Sequence, residues 1–176
     1  MGLIGAFWGA GGVFCLLCYA VIRLTPIGWA PIREGGLSWF HWVAYAVSLG
    51  LFLYTEGYKA FQLGFSPRVA ARAHALRRDP QWVRVLLAPA FCMGFFGATR
   101  RRMVVSWSVT LGIVGLVVAV RQLPQPWRGI VDLGVGAALM YGAACLAFFF
   151  LQGFGRRLAV ADDVPEPAVS IPKVAA

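Results

Sequence analysis

Few side chains in this sequence are equipped for chemistry. Within or beside its apolar runs stand two carboxylates, Glu56 and Asp132, the two histidines His41 and His74, and the cysteines Cys15, Cys18, Cys92 and Cys145. Cys15 and Cys18 form C-x-x-C, which sets both thiols on one helical face, yet no second thiol or imidazole pair supplies the rest of a four-ligand zinc site. A cysteine in an apolar run packs as a small hydrophobe, and that is the role expected of all four. The sequence holds no H-E-x-x-H, no G-x-S-x-G and no phosphate-cradling glycine loop. No catalytic residue, cofactor site or metal site is therefore expected.

Glu56, in Y-T-E-G-Y-K, is the most informative single residue. A carboxylate at mid-membrane costs about 2.5–3.5 kcal/mol and normally has a partner. Lys59 lies three residues on, in helical reach, and Arg100, Arg101 and Arg102 begin a later apolar run. Glu56 is expected to bridge two helical hairpins by an ion pair to one of these cations, or else to face water. Asp132 reads in parallel, with Arg128 four residues before it and Arg121 at the end of the preceding run. A structural ion pair is expected there.

These residues are set in a chain that is 60% hydrophobic and 13% charged, with a mean hydropathy of +0.72. The apolar residues fall into blocks of about 20, the length that crosses roughly 30 Å of hydrocarbon. The expected fold is an all-α integral membrane protein, a bundle of four transmembrane helices over about 3–22, 39–61, 103–120 and 129–151. Residues 1–158 are expected to form one membrane domain. The Pro- and Gly-rich stretch after Arg23 reads as a loop. The Pro- and Ala-rich residues 159–176 read as a disordered tail. The start lacks a basic n-region and an A-x-A-like cleavage site, so the first apolar run reads as a retained helix.

The loop 62–102, with Lys59 just before it, carries the charge. From Lys59 to Arg102 stand nine of the sixteen Lys and Arg residues, in a chain of net charge +9. Ser66 and Pro67 suit a helix start, and the helix they open would present Arg68, Arg72, Arg77 and Arg78, with Arg84 and Arg102 further along, to lipid or to a partner. The run 85–98 is too short to span and is broken by Pro89 and Gly94, so it is expected to lie at the interface or re-enter. Nucleic acid is not expected, because the basic residues flank apolar runs and no binding motif accompanies them. Anionic lipid head groups, a membrane-protein partner or a second copy are.

Counting basic residues across four spans puts twelve on the side of the central loop and four on the other, which places both termini in the cytoplasm. With no large soluble domain, a bacterial inner membrane is expected. Gly5 and Gly9, and Gly134, Ala138 and Gly142, recur every fourth residue and are candidates for close helix packing. The functional expectation is a non-catalytic membrane subunit or scaffold with a basic cytoplasmic loop. The alternatives are a small transporter or channel subunit using Glu56, or a membrane enzyme acting on lipid or quinone.

Overall fold

Helix-favouring, apolar sequence produces helices nearly throughout the computed structural model, which describes residues 1–78 and 80–155. The tail 159–176 lies outside the described residues. Seven α-helices and one π-helical stretch follow in order: α1 (Gly2–Glu34), α2 (Trp39–Phe52), the π segment (Leu53–Phe65), α3 (Ser66–Arg78), α4 (Trp82–Leu86), α5 (Ala88–Met93), α6 (Arg100–Arg121) and α7 (Trp127–Gln152). Three of them, α1, α6 and α7, are long and apolar enough to cross a membrane.

The first helix overruns its expected end by twelve residues, with Pro26 and Pro31 inside it. Proline withholds an N–H from the carbonyl four residues back, but a helix in an apolar setting tolerates this when neighbours compensate. Here Gly28 lets α7 close in: a Cβ at Gly28 would meet Leu133 at 2.8 Å. The Tyr45 hydroxyl donates to the Gly28 carbonyl at 3.1 Å. The helix stops only at Gly35 and Gly36, whose φ values of 77° and 79° favour glycine.

From Trp39 to Arg78 the chain is helical without a break, α2 passing into the π segment and that into α3. Ser66 and Pro67 therefore do not open a separate helix. The Ser66 side chain is buried and donates to the Gly142 carbonyl at 3.3 Å. Contacts fix the directions of the long elements. Gly129 of α7 lies against Pro31 of α1, and Phe150 meets Phe7, so these two helices run antiparallel. Ser48 donates to Ile130 O at 3.0 Å and His74 to Phe150 O at 2.9 Å, so the 39–78 element runs parallel to α7.

The core lies at the end of the bundle shared by the start of α1 and the finish of α7. Ala6, Ala10 and Val13 of α1 pack with Val69, Ala73 and Leu76 of α3, with Phe91 and Cys92 of α5, and with Leu146 and Phe150 of α7. Small residues allow the approach. Gly5 faces Val85, Gly9 faces Cys92 and Ala88, Gly134 faces Phe52 and Ser48, and Gly142 faces Phe61. Ala138 is 1% exposed. Within 85–98, α5 does not lie on the surface: Ala88, Phe91 and Cys92 are buried in this core. Helix α6 is the exception to the packing, since its most apolar window is only 6% buried.

Candidate functional site

The basic segment of the sequence divides into buried and exposed parts. Arg72, expected to lie along lipid, is 3% exposed, which corrects that expectation. Its guanidinium donates to three main-chain carbonyls, Phe91 O at 2.7 Å, Phe96 O at 2.9 Å and Gly97 O at 3.0 Å, and lies 4.2 Å from the Phe91 ring centroid. Those carbonyls belong to the C-terminal end of α5 and the turn after it, where orphan acceptors need donors and a cation is favoured. The turn itself needs Gly94 and Gly97, with φ values of 83° and 60°. Arg77 and Arg78 are exposed, Arg77 lying 5.3 Å over the Phe154 ring. Arg68, Arg84 and Arg102 are half-buried, Arg84 being 5.6 Å over the Phe91 ring.

The ion pairs divide likewise. Arg128 Nε stands 3.5 Å from the Asp132 carboxylate, the latter buried. Arg121 is exposed at the end of α6. Among the described residues no ion pair is seen between Glu56 and Lys59, Arg100 or Arg101. Glu56, Lys59, Arg100 and Arg101 are all exposed.

The tryptophans divide into two groups far apart along the bundle. Trp29, Trp39, Trp42 and Trp127 gather where α1 ends and α7 begins: Trp127 packs on Phe40 and His41, and Trp42 on Tyr45. At the other end Trp8 donates to Leu86 O at 3.3 Å, in the short helix that Trp82 opens, and Trp107 packs on Phe95. Trp8 and Trp29 are 21 positions apart on α1. At 1.5 Å per residue that is roughly 32 Å, close to the thickness of a bilayer's hydrocarbon.

Between these groups runs a polar seam of α7 and the π segment that sequence reasoning did not connect. On α7, Tyr141 is eight positions from Leu133, which touches Gly28, and nine from Phe150, which touches Phe7. Tyr141 is thus midway. Its ring packs on Gly57 and its hydroxyl donates to Gln62 of the π segment. The same segment shows Tyr54 and Tyr58 stacked with centroids 6.2 Å apart, and the Lys59 ammonium 4.8 Å over the Tyr54 ring. Tyr54, Tyr58 and Tyr141 are 55%, 42% and 39% exposed. The recurrence of Tyr54, Tyr58 and Gln62 at every fourth position was the available signal.

Elsewhere the chemistry is structural. His41 Nδ1 accepts the Ser38 N–H at 3.2 Å and so caps α2. His74 stacks on Phe150 with centroids 5.2 Å apart. The two imidazoles sit at opposite ends of one long helix. Among the described residues, no three His, Cys, Asp or Glu side chains come together as metal ligands. The four cysteines are free thiols, Cys92 buried and Cys15 exposed. No family model, curated protein or solved structure matches the chain.

Proposed function

We propose that the chain is a non-catalytic subunit of a membrane assembly, a four-span bundle whose polar seam is covered by protein inside the bilayer. In this reading α1, the 39–78 element, α6 and α7 are the spans, and the tryptophan groups mark the two interfaces. One observation carries it: Glu56 and Lys59 are exposed beside Gly57, which packs on Tyr141 midway between those interfaces. Lipid cannot solvate such groups, each costing about 2.5–3.5 kcal/mol at mid-depth on insertion scales, and groups of this kind face protein or a water-filled cavity. Snorkelling relieves only residues near a span's end.

The exposed cations Arg77, Arg78, Arg100 and Arg101 then meet anionic head groups, each contributing about 1 kcal/mol near such a surface. The excess of basic residues is the ground for proposing both termini, and the connection between the 39–78 element and α6, on the cytoplasmic side, and a bacterial inner membrane is the membrane proposed, on the sequence alone. Polymer-excised native membrane discs analysed by mass spectrometry test the reading. A defined protein complex is expected, and a lone chain with only lipid around it would overturn it.

The seam favours one second reading, a transporter or channel subunit with Glu56 lining a polar path. That reading requires substrate-dependent flux in liposomes that disappears with Glu56→Gln. Flux indifferent to that change removes it.

A further inference from the structure

We propose that α1 carries a glycerophospholipid site near its C-terminal end, with an acyl chain in a groove of the helix and the phosphate on Arg33. A groove of about 460 Å³ runs along this part of α1, lined by Val21, Ile22, Thr25, Pro26, Trp29 and Arg33. Sites that take small molecules have volumes of about 300–1,000 Å³. The sequence makes the walls apolar. Pro26 has no N–H, and the Thr25 hydroxyl is turned back onto Val21 O at 2.7 Å, so neither offers a donor to the groove. Ile22 and Trp29 present exposed apolar surface beside them. The groove therefore carries one cation, Arg33, and carries it at one end.

Depth identifies the occupant. The site depends on one part of the reading above, Trp29 at an interface, and not on a covered seam. Val21 stands eight positions before Trp29, roughly 12 Å deeper at 1.5 Å per residue. The hydrocarbon of one leaflet is about 15 Å deep. The groove thus starts near the middle of the bilayer and follows one leaflet outward. It ends at Arg33, four positions beyond Trp29 and so in the head-group layer. An apolar channel one leaflet deep, closed by a cation at its polar end, is complementary to an acyl chain hanging below a phosphate. The guanidinium fork pairs with phosphate oxygens, and the Trp29 indole N–H is a donor at the depth of the ester carbonyls. Glu34 is exposed directly after Arg33, so the charge there is balanced. What the site reads is the phosphate common to these lipids, not a net negative head group.

The test titrates the full chain, in maltoside detergent, with a phosphatidylcholine bearing a diazirine at the end of one acyl chain. Photo-crosslinks are mapped by mass spectrometry. Helix α6, exposed along Leu111, Ile113 and Val114, is the reference for unspecific lipid contact. Labelling at Val21 and Ile22 is expected to saturate at one lipid per chain, while labelling of α6 rises in proportion to added lipid. Arg33→Gln is expected to lower the α1 labelling by about tenfold or more below saturation, with α6 labelling and thermal unfolding unchanged. Arg33→Lys, which keeps the charge without the fork, is expected to fall between Arg33→Gln and the parent. A diacylglycerol with the same diazirine, lacking the phosphate, is expected to label α1 about as weakly as the phospholipid labels Arg33→Gln. Labelling of α1 that never saturates, or that ignores Arg33→Gln, means unspecific lipid contact only and overturns the proposal. Equal labelling by the diacylglycerol overturns it too. An α1 left unlabelled while α6 is labelled means a groove filled by something else, and overturns the site while leaving the subunit reading in place. Chain-end labels at Trp29 and Arg33 in place of Val21 and Ile22 overturn both the site and the placing of Trp29 at an interface.

Discussion

Arg72 holds Phe91 twice, donating from Nε to its carbonyl at 2.7 Å and lying 4.2 Å above its ring. The same guanidinium reaches Phe96 O and Gly97 O, so one side chain of α3 fixes the end of α5 and the turn that leads to α6. Hydrogen bonds to a charged group contribute about 1.5–3 kcal/mol, and acceptors left buried and unpaired add to the loss. Arg72→Gln is expected to destabilise the protein by about 3 kcal/mol. Arg72→Lys keeps the charge but not the planar fork, and is expected to fall between Arg72→Gln and the parent. Unfolding in SDS mixed with mild detergent measures both.

Glycines in this chain fall into two classes that substitution separates. A Cβ on Gly142 would come 2.5 Å from Phe61 Cγ, whereas nothing lies within 4 Å of one on Gly112. Overpacking a close contact costs about 1–3 kcal/mol. Gly142→Ala is expected to lower stability by that amount, and Gly112→Ala to leave it unchanged or raise it slightly through helix propensity. Equal effects at the two sites would contradict the packing described.

Cys92 is expected to be chemically silent. Burial pushes its thiol up to about 12, against a smaller opposing pull from the Arg72 guanidinium. At pH 8 N-ethylmaleimide should leave Cys92 unmodified in the folded protein and modify it once SDS unfolds the chain. The raised value also has a sign for stability. The unfolded thiol loses its proton at lower pH than the folded one, so between about pH 9 and 12 the native state holds more protons and stability falls as pH rises. Cys92→Ala should flatten that part of the profile, after allowance for its smaller side chain.

Length and hydropathy made the apolar runs legible, and α6 and α7 begin and end within a few residues of their expected bounds. What escaped was non-local. Pro26 and Pro31 look like stops, but Gly28 with Leu133 and Tyr45 against it supports a helix that runs through them. Arg72 and His74 are polar letters that suggest a surface, yet their partners are carbonyls of Phe91 and Phe150, 19 and 76 positions away. No periodicity in 66–78 could announce those acceptors. Glu56 stood out because a lone carboxylate is conspicuous in an apolar run; Gln62 and Tyr141 pair only when α7 lies beside the π segment.

Helix α6 is tied to the bundle at its start, where the Ser106 hydroxyl donates to Met93 O at 3.0 Å, and by the short turn into α7. Between these ends Leu111, Ile113, Val114 and Val117 are 66%, 56%, 56% and 43% exposed. Lipid tails solvate such side chains as well as protein does, so truncating them removes little stability. Leu111→Ala and Val114→Ala are each expected to change it by less than about 0.5 kcal/mol. Leu146, fully buried between α1, α3 and α7, is the contrast, and Leu146→Ala is expected to cost about 2–5 kcal/mol. Ser106→Ala removes the tie at the start and should speed hydrogen exchange in the first turns of α6 without changing α7. If Leu111→Ala proves as damaging as Leu146→Ala, α6 is packed against protein, and its exposed face belongs to an interface.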